Sequence, residues 1–477
     1  MGTTQPDPAF LLKELHATLE AAPPFCSGTL KLSPDMLDFY YGKHNHQYIN
    51  FAESAQRPAD IEQLEAACDA AAFGRNEETV IDETYRKAGK MDLSNFVMRF
   101  DAERSRLVDV VRTGLLTGDK ETRGVVAEPY KLNVYGKGAF FKPHVDTPHA
   151  ANMFASLVVV FPTPHEGGEL VLRQEDRVWT FDSSTLLTGS TSSIAYIAFF
   201  SDVEHEVLPV LSGHRITITY NLYVSADGPR TLIPDGLTIL QPPHASPAAV
   251  SDALRAFVSN PEVLPRGGTL GFGLRHVYPL PRTWNDEDDD PLEIVGRSLK
   301  GSDAALYHAC EELGLNPRLR LITEVGGDYD VRIMLSQMAP FPDYEVESRT
   351  RVIMGSSGAH LYKDMDFVFS SEDVGDEGDS NGKGVQKNEG TDESGLDRYE
   401  KRYGQKHPIH WVTKCKPGNN PVTAQPFVSY GNQAMLSYLY VSVRLIADVA
   451  VLEKRGFAVG GTGGEKDSYG GGRERVA

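Results

Sequence analysis

Residues 130–224 form a series of short apolar runs, and this pattern constrains the fold more than any other feature of the chain. Gly, Pro, Asp or Ser separates each run from the next, and no amphipathic helical pattern interrupts the series. Closely spaced short strands favour a sandwich or barrel over β-α-β units. We therefore predict a jelly roll, or double-stranded β-helix. Its runs are YKLNVY, MFASLVVVF, GELVL, RVWTF, SIAYIAFF, EHEVLPV and HRITITYNLYV.

The flanking sequence has a different pattern. Residues 10–21 and 61–72 repeat apolar positions at three- and four-residue spacing, which predicts amphipathic helices. Helical and strand-like stretches are mixed after residue 225, and a second, inactive jelly roll is an alternative for the strands there. The predicted class is α+β. We assign 1–115 to an N-terminal helical and mixed region, 116–225 to the jelly roll, and 226–370 with 399–455 to a mixed C-terminal α/β domain.

Two further segments lack the apolar residues that a core needs. Residues 371–398 are acidic and Gly-rich, and residues 456–477 form a Gly-rich tail. Such compositions bury too little apolar surface to offset the entropy of ordering. We expect a disordered acidic linker and a flexible tail.

Charge and cysteine content narrow the class of protein. A net charge of −19 argues against non-specific nucleic-acid binding, which needs a basic surface. No run is long and apolar enough for a membrane helix, and the N-terminus does not resemble a secretion signal. The four cysteines are widely spaced, as isolated reduced thiols are. We expect an intracellular protein, cytoplasmic or nuclear, of unknown oligomeric state.

The segment KPHVDTPH carries the first chemical signal. His144 and Asp146 are two positions apart, so on an extended chain both side chains point to one face and can bind one metal ion. Such a pair is half of the two-His, one-carboxylate triad that binds Fe(II) and leaves coordination positions open. The motif alone is weak, because short His and Asp spacings arise by chance.

Residues downstream supply a candidate third metal ligand and a candidate partner for a carboxylate. His205 lies in a later strand and is the candidate third ligand, with Arg215 ten residues beyond it. We predict that the strand of His205 turns at residues 211–213 and returns antiparallel, which would place Arg215 beside the metal. The Arg215 guanidinium suits a carboxylate, and Thr217 shares its face. Alternatively, this polar face meets solvent and Arg215 is an ordinary surface residue.

These segments resemble the prolyl 4-hydroxylase-like branch of the 2-oxoglutarate/Fe(II) oxygenase superfamily. The resemblance rests on VYGKGAFFKPHVDTP, SLVVVFPTPHEGGELVL and HEVLPVLSGHRITITYNLY, and the flanks resemble those of large fungal members. It implies that His144, Asp146 and His205 bind iron, that Arg215 anchors 2-oxoglutarate and that Tyr135 lines the co-substrate pocket. Two departures are Arg215, where many prolyl hydroxylases have Lys, and a missing tyrosine in SLVVVF, for which Thr217 is a substitute.

The resemblance implies a dioxygenase that uses Fe(II), 2-oxoglutarate and dioxygen, with ascorbate as a further candidate cofactor. Hydroxylation of an unidentified protein or small-molecule substrate is the expected reaction. A cupin-like module that binds metal or a protein partner without turnover is the alternative. No membrane or nucleic-acid partner is expected.

Overall fold

The computed structural model describes most of the chain. The predicted linker 371–398, the tail 456–477 and Cys415 lie outside it. The described residues are 6–42, 46–75, 78–116, 123–225, 237–239, 247–281, 290–325, 331–336, 354, 359–365, 367, 369, 405–413, 430–432 and 438–455.

Helices occur on both sides of the central strands. Short 3-10 turns span Pro34–Leu37, Phe51–Glu53, Leu93–Asn95 and Leu452–Lys454. The α-helices are α1 Pro8–Glu20, α2 Pro58–Ala66, α3 Leu107–Leu115, α4 Ser183–Leu187, α5 Pro247–Ser259, α6 Pro291–Arg297 and α7 Gly301–Glu312.

Strands make up most of the remaining ordered chain. Those before residue 150 are β1 Phe25–Lys31, β2 Asp38–Tyr41, β3 Gln47–Asn50, β4 Asp69–Ala70, β5 Phe73–Arg75, β6 Glu78–Val80, β7 Arg86–Lys87, β8 Gly89–Asp92, β9 Phe96–Met98, β10 Gly124–Tyr135 and β11 Phe140–His144. Those from 150 to 240 are β12 Met153–Val160, β13 His165–Gly167, β14 Leu170–Gln174, β15 Arg177–Phe181, β16 Ser193–Phe200, β17 Glu204–Val207, β18 Val210–Gly213, β19 Arg215–Ser225 and β20 Leu237–Ile239. The C-terminal strands are β21 Gly268–Gly273, β22 Tyr278–Pro281, β23 Arg318–Val325, β24 Val331–Leu335, β25 His360–Met365, β26 His407–Thr413, β27 Tyr430–Gly431, β28 Tyr438–Val441 and β29 Arg444–Val449.

Two sheets share the larger core and form a sandwich. The major sheet has the order β20-β1-β16-β12-β19-β10-β8-β4, and the minor sheet has the order β15-β14-β17-β11-β7. Helix α3 covers the outer face of the major sheet, where the Cys26 thiol contacts the Val111 carbonyl. Every residue of β12 is therefore buried. One face of the strand meets the minor sheet, and its other face is covered by further residues of the same core.

Each predicted run between residues 130 and 224 contains or overlaps an observed strand. The major sheet nevertheless crosses the predicted boundary at residue 115, because β1 pairs along its whole length with β16. Periodicity within a short window cannot reveal such long-range pairing. The predicted domain boundaries stay a prediction.

A second core lies in the C-terminal half and includes a closed barrel of order β21-β26-β25-β24-β23-β29. Strand β26 runs parallel to both of its neighbours, which differs from a jelly roll, where neighbouring strands are antiparallel. Helix α1 packs here although it begins the chain. Asp7 caps α1, and Leu11, Leu15 and Leu19 lie one turn apart on its buried face. We call this second core the barrel unit.

The described helices include none with the length and apolar character needed to cross a membrane.

Candidate metal and co-substrate site

The two predicted histidines and the aspartate meet inside the sandwich. Strands β11 and β17 pair antiparallel in the minor sheet, and His144 lies directly opposite His205. Asp146 lies two residues after the end of β11, and its Oδ1 is 3.9 Å from Nε2 of His205. One ligand atom from each residue lies within 4.8 Å of the others, and all three side chains are buried. The three residues are therefore placed to hold one metal ion.

The ring orientations of both histidines are determined by backbone carbonyls. Nδ1 of His144 is 2.9 Å from the Lys142 oxygen, and Nδ1 of His205 is 3.0 Å from the Val203 oxygen. A carbonyl only accepts, so each Nδ1 donates its hydrogen and each Nε2 keeps a lone pair. Burial, followed by the neighbouring His205, holds the pKa of His144 well below its usual value. A neutral imidazole is the form that binds a metal.

The Asp146 carboxylate is held by donors on both oxygens. The Ser156 hydroxyl, on β12, donates to Oδ2, and the Asn432 amide donates to Oδ1 at 2.6 Å. The Tyr440 hydroxyl donates to the Asp146 backbone carbonyl at 2.9 Å. Ser156 lies in SLVVVF, the strand from which the family's second tyrosine is missing. Two of these three partners belong to the C-terminal part of the chain.

The predicted route of Arg215 to the site was wrong. Strand β17, with His205, pairs with β11 and β14 in the minor sheet, whereas β19 pairs with β10 and β12 in the major sheet. His205 and Arg215 therefore do not lie on two strands of one hairpin. Residues 210–213 instead pair with β13 and carry the chain across the sandwich. Arg215 reaches the interior from the opposite sheet.

Arg215 is only 1% exposed, and part of its guanidinium is not engaged by the described chain. Its Nε and Nη2 are buried without a hydrogen-bond partner among the described residues. Tyr135 on β10 pairs with Arg215 on β19, and its ring centre is 5.7 Å from the guanidinium carbon. Burial lowers the pKa of Arg215 to about 10. A buried cation without an acceptor is costly, which points to a ligand that supplies one.

Gly168 allows this close packing. Its φ of +73° suits glycine, and an added Cβ would lie 2.8 Å from Val210 Cγ2 and 3.0 Å from Arg215 Cδ. A side chain at residue 168 would therefore push the Arg215 side chain out of its present position.

One cavity connects the two features. The polar face of β19, with Arg215, Thr217 and Thr219, lines this cavity together with His144, Asp146 and His205. The alternative in which this face meets solvent is therefore wrong. The same alternation places Ile216 and Ile218 on the opposite face, where both are fully buried.

Comparison with known proteins agrees with this geometry. Residues 130–223 match the family model of the 2OG-Fe(II) oxygenase superfamily. This segment is the domain of a 2-oxoglutarate-dependent dioxygenase. Enzymes of this superfamily are oxidoreductases that use Fe(II), 2-oxoglutarate and dioxygen. No curated protein sequence matches the chain.

Several solved structures are similar to somewhat less than half of the chain, at low identity. A prolyl-4-hydroxylase of Pseudomonas putida is 18% identical, with 45% of this chain and 99% of that chain covered and a TM-score of 0.27. A Trichoplax adhaerens prolyl hydroxylase, in complex with a hypoxia inducible factor peptide fragment, is 16% identical, with 45% and 90% covered and a TM-score of 0.26. A 2OG-Fe(II) oxygenase family protein of Burkholderia pseudomallei is 16% identical, with 48% and 96% covered and a TM-score of 0.25.

The lining of the oxygenase cavity includes further charged residues that the sequence patterns did not reveal. The Arg86 guanidinium donates to the Asn133 side-chain oxygen at 2.9 Å and lies 4.3 Å from the centre of the Phe141 ring. The Lys131 ammonium lies 3.9 Å from the centre of the Tyr130 ring. Burial, with the nearby cations Arg86 and Lys90, lowers the pKa of Lys131 to about 7. Arg86 precedes the family motif, so no spacing rule connects it to the site.

Two further histidines, His149 and His165, lie near the motif but outside the cluster of candidate ligands in the described chain. The His149 ring packs edge-on against Tyr130 at 5.3 Å between ring centres. Nδ1 of His165 bonds the Thr163 carbonyl, and its Nε2 is 3.0 Å from the Ser183 hydroxyl. His165 is therefore already engaged by its neighbours.

Proposed function

We propose that the oxygenase domain binds one Fe(II) through His144, Asp146 and His205 and binds 2-oxoglutarate through Arg215. The reaction would be hydroxylation of the prolyl 4-hydroxylase-like type, on an unidentified protein or small-molecule substrate. The observation that carries this proposal is the buried guanidinium of Arg215, whose Nε and Nη2 have no hydrogen-bond partner in the described chain, in the same cavity as the His, Asp, His cluster.

The donor set fits ferrous iron. Two imidazole nitrogens and one carboxylate are the ligands of non-haem Fe(II) oxygenases and leave positions open for small ligands. When bound, the iron couples oxidative decarboxylation of 2-oxoglutarate to oxidation of the substrate. The chain itself orients the ligands. The carbonyls of Lys142 and Val203 accept from Nδ1 of His144 and His205, which leaves each Nε2 lone pair facing the site. The Phe141 ring stacks on His144 at 3.5 Å between ring centres.

The cavity also fits a dicarboxylate. Arg215 offers two unused donor atoms, and the Thr217 hydroxyl, on the same strand face, would add a hydrogen bond to the same carboxylate. Tyr135 would form one wall beside the guanidinium. The burial of Arg215 strengthens a charge-assisted pair, because water competes less for its donor atoms.

We also propose that the two sheets form a double-stranded β-helix and that the barrel unit is the mixed C-terminal domain. The polar interior favours an oxygenase over a cupin-like module without turnover, because a module that binds only metal has no use for a buried cation across the cavity.

The first prediction concerns binding of both ligands. Purified protein should bind about one Fe(II) per chain, and His144→Ala, Asp146→Ala or His205→Ala should each weaken it severely. In the wild-type Fe(II) protein, anaerobic titration with 2-oxoglutarate should produce a metal-to-ligand charge-transfer band. Arg215→Ala should keep iron but lose about 2 to 5 kcal/mol of 2-oxoglutarate affinity, since the carboxylate loses its charged partner.

Arg215→Lys is the matched variant. It should recover part of the 2-oxoglutarate affinity, because it restores the positive charge without the parallel N–H donors of the guanidinium. An Arg215→Ala protein with wild-type 2-oxoglutarate affinity would favour the metal-binding module instead. Turnover is measured separately as succinate formation.

A further inference from the structure

We propose that the C-terminal half of the chain completes the metal site of the oxygenase domain, with Asn432 as the residue that positions the Asp146 carboxylate. The proposal rests on the proposed function, since it concerns the same three ligands. Asn432 is 286 residues from Asp146 in sequence, outside the segment that matches the superfamily.

Asn432 contacts the site at two points. Its Nδ2 donates to Asp146 Oδ1 at 2.6 Å, and its Oδ1 accepts the Thr147 backbone N–H at 3.0 Å. The amide therefore spans the carboxylate and the next peptide group. A single amide in this position restricts both rotation of the carboxylate and movement of the backbone that carries it.

The backbone around Asn432 is also joined to the motif. Gly431 forms a parallel bridge with Val145, the residue between the two candidate ligands. Strand β27, which contains Gly431, pairs with β5, next to the minor sheet. Asn432 thus lies beside the His-x-Asp motif because the strand that directly precedes it does, rather than through one chance side-chain contact.

Tyr440 adds a second link from the same part of the chain. Its ring is fully buried in the core of the barrel unit, and its hydroxyl donates to the Asp146 carbonyl at 2.9 Å. Asp146 is therefore held at its carboxylate by Asn432 and at its backbone by Tyr440. Ser156 supplies the contact from within the sandwich itself.

This arrangement has a direct consequence for metal binding. Donors to both oxygens determine the plane of the Asp146 carboxylate, and they keep Oδ1 3.9 Å from Nε2 of His205. Loss of such an outer partner commonly costs about 10- to 100-fold in metal affinity. We expect Asn432 to contribute an effect of that size.

The test uses the full chain and two variants. Asn432→Ala removes the amide, and Asn432→Leu removes both hydrogen bonds while keeping most of the volume. Metal-free protein is titrated with Co(II), and the dissociation constant and the visible absorption of bound Co(II) are recorded. Both variants should bind about 10- to 100-fold more weakly with a changed spectrum. Their thermal unfolding without metal should stay close to wild type.

Asn260→Ala is the matched control. The Asn260 side chain, like that of Asn432, makes two hydrogen bonds: it donates to the Pro6 carbonyl at 3.0 Å and accepts from the Glu262 N–H at 2.9 Å. It does not line the cavity. Asn260→Ala should lower the unfolding midpoint and leave Co(II) affinity unchanged.

The outcomes separate this proposal from the function on which it rests. If wild type binds Co(II) and both Asn432 variants bind it equally well with the same spectrum, the positioning role is overturned and the metal site stands. Variants that lose metal only in proportion to a fall in unfolding midpoint would likewise overturn it, because the role would be structural. A wild-type chain that binds no metal overturns the proposed function itself.

Discussion

Arg215 inside the sandwich and Lys300 between the sandwich and the barrel unit are each 1% exposed, yet their surroundings are opposite. The Lys300 ammonium donates to Asp202 Oδ1 at 2.8 Å and to the Val277 carbonyl at 3.2 Å. Two donor atoms of Arg215 have no partner in the described chain. A buried cation that is paired belongs to the structure, whereas one without a partner marks a place for a ligand.

Asp202 joins the two cores. It lies in the turn between β16 and β17, three residues before His205, and it also accepts from His276 Nδ1 at 3.1 Å and from the Val277 N–H at 3.1 Å. Despite burial, Lys300 and then His276 hold the pKa of this carboxyl far below its usual value. The turn that leads into β17 is therefore attached to the C-terminal half by a fully buried charge pair.

The largest effect on stability is expected for Lys300→Met. The change leaves Asp202 buried without its cation, and removal of one partner from a buried pair typically costs about 3 to 5 kcal/mol. The measurement is urea unfolding, with the exposed residue Lys13 changed to Met as the control. If Lys300→Met were as stable as the control, the ion pair of Lys300 would not stabilise the fold. The contrast between Lys300 as a structural cation and Arg215 as a ligand-binding cation would then fail.

Arg215→Met should behave in the opposite way. Without 2-oxoglutarate its free energy of unfolding should lie within about 1 kcal/mol of wild type or above it, because the change removes an uncompensated buried charge. At about 100 times the wild-type dissociation constant, 2-oxoglutarate should add about 2.7 kcal/mol to Fe(II)-loaded wild type and less than about 1 kcal/mol to the variant. A large loss of stability in the metal-free variant would show that Arg215 has a structural role.

The smallest effect concerns Lys131, which is less buried than the other two cations. Its folded pKa of about 7 lies below the ordinary value of 10.5, so the folded state binds fewer protons between these values. The contribution of this group to stability is therefore greatest above pH 10.5 and falls as the pH drops towards 7. Lys131→Met should reduce the slope of stability against pH in that window.

Acetylation rates give the direct measurement for Lys131. Its amine should become reactive around pH 7, because the neutral form is the nucleophile. The exposed residue Lys137 is the reference. Equal pH profiles for the two lysines would show that the environment of Lys131 does not perturb its charge.

The sequence predicted the parts of the site that depend on local pattern. The spacing of His144 and Asp146 gave a shared face, and the alternation of β19 gave the common face of Arg215 and Thr217. The structure brings all of them, with His205 and Tyr135, around one cavity. It does not test their chemical roles, which stay predictions.

Those local patterns could not predict which distant strands pair with each other. The hairpin proposed for His205 and Arg215 used the shortest connection, but the chain crosses between sheets through β18 instead. Apolar alternation gives the face of each residue and not the identity of the neighbouring strand. For the same reason helix α1 could not be assigned to the barrel unit, since its partners lie more than 200 residues away.

The sequence by itself determined which side chains could serve as ligands and which face of each strand they occupy, because residue type and two-residue periodicity are local properties. Only the tertiary structure decided what surrounds them. Asn432 and Tyr440 hold Asp146, and Asp202 meets Lys300, through contacts between distant segments. These contacts arise from the packing of two cores against each other, for which one sequence carries no local signal.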